Sequence, residues 1–144
     1  YENIIYIDMD GVISDFEKER KNNPLSSVTP FIGRPDKIPN IYKDLEPIEG
    51  SIESVTKILK LFLSTPPWDN PDAWTHKRRW IHKYFGKSAR HKLILSARKD
   101  LNIGDYLIDD SKFRGQPKFN GEWIEFGRID YPNWKTVLDY LGIN

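Results

Sequence analysis

The stretch Asn3-Ile4-Ile5-Tyr6-Ile7-Asp8-Met9-Asp10-Gly11-Val12 decides the fold. A short apolar run rich in β-branched residues reads as a buried parallel strand. This one stops at a carboxylate, meets a second carboxylate two residues on, and reaches glycine. Residues two apart in an extended segment point the same way, so Asp8 and Asp10 are expected to face one ligand. A turn at Gly11 lets the chain bend sharply around it. Two carboxylates that close repel each other unless a cation or a shared proton compensates. A hard divalent ion such as Mg²⁺ supplies that compensation through oxygen ligands. The plain alternative is a surface Asx turn that holds no ion.

The same pattern recurs downstream. Tyr106-Leu107-Ile108 runs into Asp109-Asp110, Lys92-Leu93-Ile94-Leu95 into Ser96, and Leu61-Phe62-Leu63 into Ser64-Thr65. Trp123-Ile124-Glu125-Phe126 before Gly127 reads as a fifth strand. Helical periodicity lies between the strands. Residues 51–60 place Ile52, Val55, Ile58 and Leu59 on one face, with Ser51 as N-cap. Residues 71–85 carry Trp74, Ile81, Tyr84 and Phe85 and stop at Gly86. Residues 133–141 carry Trp134, Val137, Leu138 and Leu141 and stop at Gly142. Strands alternating with helices predict an α/β fold with a central parallel sheet flanked by helices. Ligands of such sheets bind outside the carboxyl ends of the strands. Acid pairs ending two of these strands gather three or four carboxylates at one edge, a density that calls for a metal ion.

At 144 residues the chain predicts one domain, 1–144, by the rough prior of about 150 residues per domain. It is 38% hydrophobic and 30% charged, which excludes a disordered tail and a fibre. Lys and Arg number 22 and Asp and Glu 21, so the net charge of +1 argues against nonspecific binding to a nucleic-acid polymer. With no cysteine there is no disulfide, thiol nucleophile or zinc-thiolate site. No apolar run approaches the roughly 20 residues that span a bilayer, so no membrane partner is expected. No stretch reads as a signal peptide, and a cytoplasmic location is expected. Residues 22–47 hold Pro24, Pro30, Pro35, Pro39 and Pro47 and read as an irregular insertion, the kind that often serves as a lid.

Single residues add weaker signals. Ser64 and Thr65, with neighbouring backbone N–H groups, can hold a phosphate oxygen at a strand end. Lys99 can neutralise charge on a phosphate, as can Arg98 beside it. Phe16, Phe31, Ile32 and Tyr42 lie in or near the insertion, where a base can stack on such rings. Trp68, after Pro67, is a further pocket candidate. Trp74, Trp80 and Trp134 read as core. The run His76-Lys77-Arg78-Arg79 reads as the solvated face of an amphipathic helix.

Taken in order, these pieces resemble the haloacid dehalogenase (HAD) superfamily of phosphohydrolases. Asp8-Met9-Asp10-Gly11-Val12 matches its Asp-x-Asp-x-Thr/Val motif, Ser64 its Ser/Thr, Lys99 its Lys and Asp109-Asp110 its acidic fourth motif. The surroundings are similar to the 5′(3′)-deoxyribonucleotidase branch: Asp15-Phe16-Glu17, Ser64-Thr65-Pro66, Trp80 through Tyr84-Phe85-Gly86, and Asn133-Trp134. Two departures stand out. That branch often has Arg after the acid pair and two before the lysine, where this chain has Ser111 and Ala97.

The resemblance implies a three-layer Rossmann-like fold with a small, reduced cap inserted at about residues 17–48. It implies Mg²⁺-dependent hydrolysis of deoxynucleoside monophosphates through an aspartyl-phosphate. Asp8 would be the nucleophile and Asp10 the acid and base. The metal would be held by Asp8, the Asp10 carbonyl and at least one of Asp109 and Asp110. Ser64, Thr65 and Lys99 would hold phosphate. Three alternatives stay open: a phosphatase for another small phosphomonoester such as a sugar phosphate, a receiver-like regulatory domain, and a non-catalytic binding protein on the same fold.

Overall fold

A computed structural model describes residues 3–144. Its strands are β1 (Ile5–Ile7), β2 (Leu61–Ser64), β3 (Leu93–Leu95), β4 (Tyr106–Asp109) and β5 (Glu122–Glu125). They pair in the order β3-β2-β1-β4-β5, every pair parallel. The chain winds outward from β1 through β2 to β3, then crosses to the other side of β1 for β4 and β5. The order therefore reverses between β1 and β4, where the carboxyl ends of an open sheet leave a ligand crevice. Register fixes what stands there. Ile7 pairs with Ile108, so the next residues, Asp8 and Asp109, emerge side by side.

Side chains alternate along each strand between two apolar clusters. Ile5, Ile7, Phe62, Ile108 and Ile124 join the larger one. It takes Val55 from α2 (Ser51–Thr56), Trp80, Ile81 and Phe85 from α3 (Pro71–Phe85), and Trp134 and Val137 from α4 (Trp134–Leu141). Tyr6, Leu63 and Leu107 join the smaller one with Phe119, which follows a 3-10 turn at Gln116–Lys118. Each fully buried large apolar side chain contributes about 1.5–3 kcal/mol, so most hydrophobic stabilisation lies on the helix-covered face. Trp80 and Trp134 are core, as expected.

The proline-rich stretch is seated rather than loose. After α1 (Phe16–Asn22) come 3-10 turns at Pro24–Ser27 and Pro35–Lys37. Ile38, Ile41, Tyr42 and Leu45 are then buried in the larger cluster. Trp80 Nε1 donates to the Leu45 carbonyl at 2.8 Å, and Asn70 Nδ2 donates to the carbonyls of Asp36 and Ile38.

Helix α3 has the expected bounds, with Pro71 in its first turn and Gly86 at φ +60 closing it. In α4, Asn133 is the N-cap rather than the first helical residue; its side chain and that of Thr136 form a capping box. Helix α2 is shorter than its periodicity predicts. It stops at Thr56, where the Lys57 N–H turns back to the carbonyls of Ser54 and Val55. Residues 57–60 make the turn into β2, so Ile58 is buried while Leu59 is exposed. The N-cap is Gly50, and the Ser51 hydroxyl instead donates to the Ile13 carbonyl at 3.1 Å.

Candidate active site

A cleft of about 1110 Å³ opens at the carboxyl ends of the strands, over the β1–β4 crevice. Asp8, Asp10, Thr65, Trp68, Lys99, Asp109 and Asp110 all line it. One carboxylate oxygen from each of Asp8, Asp109 and Asp110 lies within 4.8 Å of the others. Lys99 enters this cluster almost fully buried. Its Nζ donates to Asp8 Oδ1 at 2.8 Å and to Asp109 Oδ2 at 2.5 Å. Gln116 Nε2 also donates to Asp109 Oδ2, and the Ser111 N–H donates to Asp109 Oδ1. Both oxygens of Asp109 are thus engaged from inside the protein, whereas Asp110 is only half-buried.

Burial sets the electrostatics. Desolvation, reinforced by the Asp109 charge, pushes the Asp8 carboxyl up to about 7 against the pull of Lys99. Desolvation and the neighbouring Asp8 push Asp110 up to about 7 as well. Desolvation opposes the charge on Lys99, but Asp8 and Asp109 outweigh it and hold the ammonium above its ordinary value. One ammonium against three clustered carboxylates leaves uncompensated negative charge. Oxygen donors with an excess of negative charge suit a hard divalent cation. The residues present therefore fit the metal that the sequence leads one to expect.

Gly11 shows why this loop has the sequence it has. Its φ is +82, and a Cβ there would lie 1.9 Å from Asp110 Oδ2. Glycine lets the β1 loop pass directly against the β4 carboxylate.

Other residues stand apart from the carboxylate cluster. Asp10 Oδ1 accepts from Ser14 Oγ at 3.0 Å, and Asp10 Oδ2 accepts from Lys77 Nζ at 2.6 Å. Ser64 is buried behind the cleft wall, its hydroxyl accepting from Lys77 at 2.8 Å. Thr65 lines the cleft, its hydroxyl donating to the Ser96 carbonyl. Arg98 is tied to Asp100 by two hydrogen bonds outside the cleft lining. Phe16 and Phe31 also lie outside the lining, packed partly buried against the core. Phe16 stacks on Tyr42 at 5.0 Å between ring centroids, and Tyr42 is the ring that faces the cleft.

Two expectations change, and one further cleft residue emerges. Lys77 is not on a solvated face but almost fully buried, and His76 is buried too; Arg78 and Arg79 alone of that run face solvent. The signal was available in the sequence. Ala73, Lys77, Trp80 and Ile81 recur at helical spacing, and that register turns Lys77 inward with the apolar residues. Trp74 is not core: it is partly exposed, lines the cleft and donates from Nε1 to the Pro67 carbonyl at 3.1 Å. Phe113 also lines the cleft, exposed beside Arg114; an aromatic residue in a turn carries no periodic signal.

A sequence model described as "5' nucleotidase, deoxy (Pyrimidine), cytosolic type C protein" matches residues 32–132. The chain belongs to this family. It is 42% identical to a putative 5'(3')-deoxyribonucleotidase of Vibrio phage KVP40 over 142 residues, 96% of this chain and 84% of the relative. It is 27% identical to a putative 5'(3')-deoxyribonucleotidase of Bordetella bronchiseptica, covering 94% of this chain and 95% of the relative. It is also 27% identical to the human cytosolic-type 5'(3')-deoxyribonucleotidase, covering 93% of this chain and 78% of the relative. The HAD-type resemblance read from the motifs therefore holds. Ala97 and Ser111, the two departures from the branch pattern, both line the cleft. Among the described residues no helix is long and apolar enough to cross a membrane.

Proposed function

We propose that the chain is a Mg²⁺-dependent phosphomonoesterase that hydrolyses deoxynucleoside monophosphates to nucleoside and phosphate. The observation that carries this reading is the cluster of Asp8, Lys99, Asp109 and Asp110 on the floor of a cleft walled by aromatic rings. The names of the relatives support the substrate class.

Asp8 is the nucleophile. Its carboxylate oxygen forms a bond to phosphorus as the bond from phosphorus to the sugar oxygen breaks, leaving an aspartyl-phosphate. Asp10 gives a proton to the departing oxygen. It then takes a proton from the water that attacks phosphorus, which releases phosphate and restores Asp8. Lys99 and Thr65, which both line the cleft, hold the phosphoryl oxygens, where transition-state charge is spread.

Mg²⁺ would be held by the side chains of Asp8 and Asp110 and the main-chain carbonyl of Asp10. When bound it neutralises charge between nucleophile and phosphate. Asp109, with both oxygens engaged, orients Lys99. The segment at residues 17–48 acts as a reduced cap on the single domain. Trp68 and Tyr42 offer faces to a base, beside Trp74. The likeness to the human cytosolic-type enzyme supports a cytoplasmic location.

The test is phosphate release from a panel of deoxynucleotides, ribonucleotides and sugar phosphates, with Mg²⁺ and with chelator. Metal-dependent release selective for deoxynucleotides is expected. Release from sugar phosphates alone would keep the chemistry and discard the substrate.

A further inference from the structure

Lys77 occupies a position that the reaction scheme does not explain. It lies on α3, only 1% exposed, yet it reaches across to the loop after β1. Its Nζ donates to Asp10 Oδ2 at 2.6 Å and to Ser64 Oγ at 2.8 Å, and stands 4.7 Å from the centroid of the Tyr42 ring. An ammonium buried this deeply costs several kcal/mol unless it is paired and hydrogen-bonded. A lysine that only filled space in α3 would be a poor choice beside Ala73 and Ile81.

The partners come from three parts of the chain. Asp10 belongs to the loop after β1, Ser64 ends β2, and Tyr42 comes from the inserted segment. Ser64 and Tyr42 fix the ammonium, and the ammonium fixes Asp10. The other oxygen of Asp10 is held by the Ser14 hydroxyl at 3.0 Å. Two donors from two elements thus define the plane of a carboxylate whose side chain is still 26% exposed toward the cleft. A group that must hand a proton to a departing oxygen depends on such orientation, because misplacement by about 1 Å can cost on the order of a hundredfold.

We propose that Lys77 is a positioning residue that orients the Asp10 carboxylate toward the leaving-group oxygen. This rests on the reading of Asp10 as proton donor given above. It goes beyond that reading by assigning a role to a helix residue outside the four motifs. Lys77 need not touch substrate, because its effect passes through Asp10.

The experiment compares leaving groups. An alkoxide departs only with a proton, whereas p-nitrophenolate departs without one. The measurement is kcat/KM for the best alkyl phosphomonoester of the panel and for p-nitrophenyl phosphate, in wild type, Lys77→Met and Lys77→Arg. In Lys77→Met the alkyl substrate is expected to lose about a hundredfold or more, within the range of a lost general acid, and the aryl substrate less than about tenfold. Lys77→Arg, which keeps a cationic donor, is expected to show the same selective loss in smaller measure. It carries the test if the methionine variant does not fold. Equal losses on both substrates, in a variant whose thermal unfolding matches wild type, would overturn the positioning role and leave the phosphatase reading intact. A wild-type protein that hydrolyses neither substrate would overturn both.

Discussion

Gly11 and Asp110 stand so close that a methyl group on the glycine would lie 1.9 Å from the carboxylate oxygen. One residue comes from the loop after β1 and the other from the end of β4. Their contact lies at the crevice where the strand order reverses, and it sets the loop bearing Asp8 and Asp10 against the second acid pair. Substitution Gly11→Ala is therefore expected to act twice. A left-handed backbone costs an L-residue about 1–2 kcal/mol, which lowers the unfolding midpoint. The displaced Asp110 carboxylate weakens divalent binding by at least about tenfold, a factor worth about 1.4 kcal/mol. Mg²⁺ titration by calorimetry, beside thermal unfolding, reads both effects.

The raised carboxyls predict how stability depends on pH. Asp8 and Asp110 are pushed up to about 7 in the folded protein, whereas in the unfolded chain they titrate in the ordinary carboxylate range near about 4. Between those limits the folded state holds protons that the unfolded state has released. The metal-free protein therefore loses stability as pH rises through this window. A divalent cation needs both carboxylates ionised, so its stabilising effect grows with pH. Thermal unfolding is expected to show a midpoint that falls from about pH 5 to about pH 7 without metal, and a larger upward shift by Mg²⁺ at the higher pH. A Mg²⁺ shift that shrank as pH rose would contradict the assignment of these two ligands.

Trp68 tests the cleft wall. It is 84% exposed, so truncation removes little packing and leaves the unfolding midpoint close to that of wild type. A base stacked on its ring contributes about 1–3 kcal/mol. Trp68→Ala is accordingly expected to raise KM for deoxynucleoside monophosphates by about tenfold or more while sparing p-nitrophenyl phosphate. Steady-state kinetics on the two substrates separates a lost base contact from a damaged centre.

Local pattern made most of this architecture legible. The strands announce themselves as short β-branched runs, and the polar residues that end them mark the site. Asp8, Asp10, Asp109 and Asp110 are readable that way; Lys99, four residues past β3, is marked only by the order of motifs in the family resemblance, and all five converge on one cleft. Lys77 was not, because a charged side chain beside arginines looks solvated until the register of the whole helix is followed inward. The end of α2 was hidden by the lack of any Gly or Pro before β2; the helix stops at Thr56 and the turn that follows buries Ile58. Phe16 and Tyr42 illustrate a third limit. Composition places both rings near the insertion, but only their stacking decides which one faces the cleft.

The central claim is that Asp8 carries the reaction. Its most direct test is phosphate release from a deoxynucleoside monophosphate at saturating Mg²⁺, wild type against Asp8→Asn. Asparagine keeps the shape but removes the nucleophilic carboxylate, and the account predicts that turnover falls by at least about a thousandfold, roughly 4 kcal/mol in activation free energy. Near wild-type, metal-dependent release from the Asp8→Asn protein would contradict it.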